Sequence, residues 1–98
     1  MPIECESLDE VRREIDRIDA EIVRLVAERT AYVRQAARFK RDTAEAAAPE
    51  RVRAVIERAR ANAEREGADP ELVADLYRMM IARFVAAESE IVREREAT

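Results

Sequence analysis

The sequence predicts an all-α chain of three helices, long, short and long, that pairs with a second copy of itself. Three observations lead there. Apolar residues recur at alternating steps of three and four along most of the 98 residues. The single glycine, Gly67, and two of the three prolines, Pro49 and Pro70, fall at the edges of those periodic segments. Charged residues make up 41% of the chain, acidic and basic intermixed, as long solvent-exposed helices require. No stretch alternates in the manner of a strand. The length allows one domain, residues 1–98, but a chain drawn out into a few long helices cannot wrap them around one compact core. Self-association as a homodimer is therefore expected.

The first helix is predicted over residues 8–40. Leu8, Val11, Ile15, Ile18, Ile22 and Leu25 form one seam, neither Gly nor Pro interrupts the segment, and Ser7 or Asp9 can cap its start. At 1.5 Å per residue it would be about 50 Å long, and a helix of that length needs a partner along most of it. Residues 41–48 lose the seam and read as a loop, a candidate lid beside Lys40. Pro49 suits the first turn of a second helix, 49–66, with Val52, Val55, Ile56, Ala59 and Ala63 on one side and Gly67 as its stop. Asp69 and Pro70 then cap and start a third helix, 70–92, with Val73, Leu76, Met80, Phe84, Ala87 and Ile91 on its apolar face. The tail from Arg93 to Thr98 is expected to fray.

Composition also excludes functions. With 22 acidic and 18 basic residues the net charge is −4, so the basic surplus that phosphate backbones attract is missing and nucleic acid is not an expected partner. No apolar run is long enough for a membrane span, and the acidic N-terminus does not resemble a secretory signal, which points to a cytoplasmic protein. Cys5 is the lone cysteine and reads as part of a loose N-terminal arm. Without histidine the chain lacks the usual general base and the common zinc ligand, so neither a metal nor a cofactor is expected. Chemistry, if present, must run on Arg, Lys, Glu or Asp.

Polar residues that break the apolar pattern are the candidates. With Leu8 as heptad position a, Arg29 is the one charged residue among the ten a and d positions of the first helix. A guanidinium there needs an anion, which can be an internal carboxylate or a ligand. Arg12 and Lys40 flank the same seam, either as solvated residues or as further cations of one site. Arg29 and Lys40, about 16 Å apart along the axis, can reach toward each other around a small dianion, whereas Arg12 and Arg29, about 25 Å apart, cannot. Two first helices packed antiparallel would bring Arg12 of one chain to the Lys40 end of the other. Glu88 lies on the apolar face of the third helix, either as the partner of Arg29 or as a carboxyl that burial keeps protonated. Arg51 stands at the start of the second helix, where anions are favoured, and can equally be a surface arginine.

The order of LDEVRREIDRIDAEIVRLVAER, ARFK, APERV and LYRMMIARFVAAESE resembles the all-helical chorismate mutase family (type II) over roughly residues 8–92. The opening R-x-x-I-D-x-I-D-x-x-I, from Arg12 to Ile22, is its most specific part. Within the family the ARFK and APERV segments look most similar to isochorismate-pyruvate lyases. The resemblance implies an intertwined homodimer of three-helix chains with shared active sites. It implies Arg12 as the arginine supplied by the partner chain, Arg29 and Arg51 as binders of two substrate carboxylates, and Lys40 as the cation beside the breaking ether bond. Val52 departs from the commonest mutase pattern, in which a Glu holds the substrate's C4 hydroxyl. Glu88 stands where many mutases and the lyases carry Gln, and some mutases Glu.

What this implies is a cofactor-independent pericyclic enzyme acting on a chorismate-type dicarboxylate. The leading expectation is isochorismate-pyruvate lyase, giving salicylate and pyruvate, with chorismate mutase activity beside it. A dedicated chorismate mutase and an aminodeoxychorismate mutase are the enzyme alternatives. A non-catalytic helical interaction dimer is the alternative of another class.

Overall fold

The computed structural model describes residues 2–97. In chain order its helices are α1 (Leu8–Ala37), α2 (Thr43–Ala47), α3 (Pro49–Glu66) and α4 (Pro70–Ala97). The fold is all-helical, with three principal helices and one short turn of helix between the first and second of them. The chain divides into two compact units, Met1–Tyr32 and Val33–Thr98. Among the described residues, no helix is long and apolar enough to cross a membrane.

In the first unit, α1 starts at a cap set by sequence. The Ser7 hydroxyl accepts from the Glu10 N–H at 3.1 Å, while the Glu10 carboxylate reaches back to accept from the Glu6 N–H at 2.9 Å. The first bond satisfies a first-turn donor that would otherwise be unpaired and the second ties the preceding residue to the same turn; loss of such a cap costs about 1 kcal/mol. Glu14–Arg17 at 3.2 Å and Glu21–Arg24 at 3.1 Å lace the solvent side. The seam is another matter: Leu8, Val11, Ile15, Ile18, Ile22 and Leu25 are all exposed, Ile22 by 52%. Among the described residues of this unit only the N-terminal arm lies beside this face, near Val11, Ile15 and Ile18, and it leaves all three exposed, so burial within the unit does not account for its stability.

The second unit is built on the pairing of α3 with α4 across the short link Gly67–Asp69. Gly67 adopts the left-handed conformation (φ 77°) in which the Ala68 N–H can return to the Ala63 carbonyl at 2.8 Å, closing α3. Asp69 then caps α4, its carboxylate accepting from the N–H groups of Glu71 at 3.0 Å and Leu72 at 3.4 Å. Arg60 bridges the two helices through Glu71 at 3.2 Å. The buried apolar residues are Ala59 and Ala63 on α3, Ala74, Ile81 and Val92 on α4, Ala46 on α2 and Ala37 at the end of α1. The buried side of α4 is rotated from the expected face, so that Leu76 and Ala87 are exposed. Alanine accounts for this, because helices that meet through methyl groups approach closely and leave bulkier neighbours outside the contact.

Three stretches differ from the sequence expectation. Residues 41–48 are not a loop: Thr43–Ala47 forms α2, which packs on α4 through buried Ala46 and is capped by Asp42, whose carboxylate accepts from the Glu45 N–H at 2.8 Å. A lid reading of this segment loses its basis. The first helix ends at Ala37 rather than Lys40, because successive N–H groups of Arg38, Phe39 and Lys40 bond three residues back at 3.0–3.3 Å and tighten the chain out of the α-helix. The tail does not fray at Arg93. α4 runs to Ala97, and Arg95 anchors it by donating to the carbonyls of Ala37, Arg38 and Lys40.

Candidate functional site

Lys40 and Glu88 are brought together. Glu88 follows Ala74 and Ile81 at heptad intervals on α4, so the stripe that buries those two carries the carboxyl inward as well. Lys40 stands just past the end of α1 and is half-buried. Its ammonium donates to the Glu45 carbonyl at 3.4 Å and lies 4.0 Å from a Glu88 carboxyl oxygen, an ion-pair distance too long for a hydrogen bond. α2 therefore holds one side of the amine and α4 the other.

The environment acts on Glu88 in opposite directions. Burial raises its carboxyl above the usual carboxylate range, and the nearby Lys40 ammonium pulls the other way without cancelling the shift. A carboxyl pushed upward in this way keeps its proton to higher pH and can donate a hydrogen bond, which a carboxylate cannot. An ammonium and a protonated acid side by side can together address an oxygen on which negative charge develops.

The remaining candidates are distributed over both units. Arg51 is on the first turn of α3, exposed, with Val52 half-buried beside it. Arg12 and Arg29 belong to the first unit, on α1, the former exposed and the latter half-buried. Among the described residues, Arg12 and Arg51 engage in no ion pair or side-chain hydrogen bond, which leaves their guanidinium donors open to an anion. In the first unit a groove of about 620 Å³ runs between the N-terminal arm and α1, lined by Ile3, Cys5, Val11, Ile15 and Ile18 among others. It contains none of the five candidate residues and exposes the apolar seam instead.

Sequence reasoning passed over Asp42 and Arg95. The D-x-x-E spacing from Asp42 to Glu45 is a capping signal that was open to reading. Nothing in the spacing of Arg95 separates it from the other arginines of a charged helix end.

An all-helical chain that sets a lysine ammonium beside a buried carboxyl whose pKa burial raises has the parts of a site for an anionic oxygen compound. A model of the chorismate mutase type II family matches residues 11–89, and the chain belongs to that family. No curated protein sequence matches it.

Proposed function

We propose that the protein is a chorismate mutase, rearranging chorismate to prephenate in an intertwined homodimer whose two sites each draw on both chains. The observation that carries this reading is the Lys40–Glu88 pair, found in a chain of this family. Arg29 and Arg51 hold the two substrate carboxylates, and Arg12 enters from the partner chain. These contacts hold the enolpyruvyl group folded over the ring. As the ether C–O bond breaks and the new C–C bond forms, Lys40 stabilises charge gathering on the ether oxygen and protonated Glu88 donates to the same atom. The rearrangement needs no nucleophile, metal or cofactor. The uncovered seam from Leu8 to Leu25 supports the dimer, since a second copy is an apolar partner of matching length.

Val52 favours a second reading. A half-buried valine beside Arg51 offers no hydrogen bond to a ring hydroxyl, whereas a mutase commonly uses a Glu there to hold the C4 hydroxyl of chorismate. Isochorismate carries its hydroxyl at C2. In the lyase reaction a ring hydrogen moves to the enolpyruvyl methylene as the same C–O bond breaks, leaving salicylate and pyruvate. Aminodeoxychorismate, with an amine at C4, is a third substrate that would not need the Glu.

Product analysis with chorismate, isochorismate and aminodeoxychorismate in parallel tests these readings. Prephenate from chorismate is expected. Salicylate and pyruvate as the dominant products would make the protein a lyase, the amino analogue of prephenate would make it an aminodeoxychorismate mutase, and no turnover of any of the three would leave a non-catalytic helical dimer.

A further inference from the structure

We propose that Arg95 is a positioning residue for Lys40, tying the end of α4 to the carbonyls that close α1 and thereby fixing where the Lys40 ammonium stands. The inference rests on the reading of Lys40 as a catalytic group. Arg95 lies six residues beyond the segment that the family match covers. Its guanidinium donates to the Ala37 carbonyl at 3.3 Å, to the Arg38 carbonyl at 3.4 Å and to the Lys40 carbonyl.

The carbonyls at a helix C-terminus lack intrahelical partners and form the negative end of its dipole, so a cation bearing several donors suits them. Only a guanidinium presents five N–H groups in a rigid fork, and here that fork spans the carbonyls of residues 37, 38 and 40. Apart from Arg95, the segment is held by the N–H groups of Arg38, Phe39 and Lys40 bonding three residues back and by the Lys40 ammonium on the Glu45 carbonyl, which are local contacts that do not tie it to α4. Residues 38–41 are outside regular helix, and Phe39 is 76% exposed, so packing does not hold the backbone there. Arg95 is seven residues after Glu88, two helical turns and about 10 Å further along the same face of α4. One helix therefore grips Lys40 twice, with Glu88 facing its ammonium and Arg95 holding its carbonyl. The tether also accounts for helix through Arg93–Ala97, a stretch whose only apolar residue is its last.

The test compares wild type, Arg95→Ala and Arg95→Lys as full chains, in steady-state turnover of chorismate, in amide exchange and in thermal melting. Misplacing a catalytic group by about 1 Å costs up to a hundredfold in rate, so Arg95→Ala should lower kcat by about tenfold or more and move KM by less than about threefold. Amides of residues 39–42 should exchange faster while those of α3 are unchanged, and Arg95→Lys should recover only part of kcat. Wild-type kcat in Arg95→Ala overturns the proposal. So does a loss of rate that accompanies faster exchange along the whole chain, or full recovery by lysine, because either reduces Arg95 to general stability or charge. If wild type turns over none of the chorismate-type substrates, the functional reading fails separately, and selective exchange at residues 39–42 still decides whether Arg95 holds that segment.

Discussion

Ile22 sits in the middle of the exposed α1 seam, and truncating it to alanine should weaken the dimer by an amount its exposure sets. It retains 52% of its surface in the single chain. Full burial of such a side chain is worth about 1.5–3 kcal/mol, so covering the remaining half contributes about 1–1.5 kcal/mol per copy. A two-fold dimer contains the residue twice, and alanine keeps the Cβ contact, which brings the loss to about 2 kcal/mol, or about thirtyfold in the dissociation constant. Sedimentation equilibrium over a dilution series measures this directly. Because the proposed site takes Arg12 from the partner chain, specific activity should fall on dilution along the same curve as dimer content, and Ile22→Ala should shift both curves together. An unchanged dissociation constant in Ile22→Ala would refute the seam as the interface. A wild-type protein fully active at concentrations where it is monomeric would refute the shared site.

Glu88→Gln should flatten two pH dependences. Burial raises the Glu88 carboxyl in the folded chain above its unfolded value, so wild type has its full stability below the ordinary carboxylate range and loses some as pH climbs through the raised value. Activity that depends on the protonated carboxyl falls over the same interval, while glutamine donates at every pH; a pH–rate profile in Glu88→Gln that still declines with the wild-type midpoint would remove Glu88 from the chemistry. Ala48 joins α2 to α3 at φ 39°, a left-handed conformation that costs a residue with a Cβ about 1–2 kcal/mol. Ala48→Gly relieves that strain but loosens the unfolded chain, for a net gain of about 0.5–1 kcal/mol, and denaturant unfolding that shows a loss instead would mean the strain is absent.

The long helices were legible because three kinds of residue agreed. Apolar periodicity ran along them, Ser7 and Asp69 stood where caps are needed, and Pro49, Gly67 and Pro70 punctuated the joins. Glu88 was legible as a polar residue on an apolar face, but the face read was that of Phe84 and Ile91, whereas its burial goes with Ala74 and Ile81. Where periodicity was silent the reading failed. Five residues are too few to display a helical period, so α2 passed as a loop despite the Asp42 cap. The end of α4 has no apolar pattern at all and is held by the carbonyls of residues far away in sequence, a partner that no local window contains. Which face of α4 is buried was likewise decided by the alanines opposite it rather than by its own largest side chains.

Five of the seven buried apolar residues among those described are alanines, and this makes the interior tolerant in one direction only. Shortening a methyl group to hydrogen removes little volume, but extending one forces apart helices that already touch through their smallest side chains. Ala59, Ala63 and Ala74 are thus positions where nearly every exchange adds bulk. On the proposed reading, a change of substrate would have to come from residues such as Val52 beside Arg51, or from a second chain, rather than from these alanines.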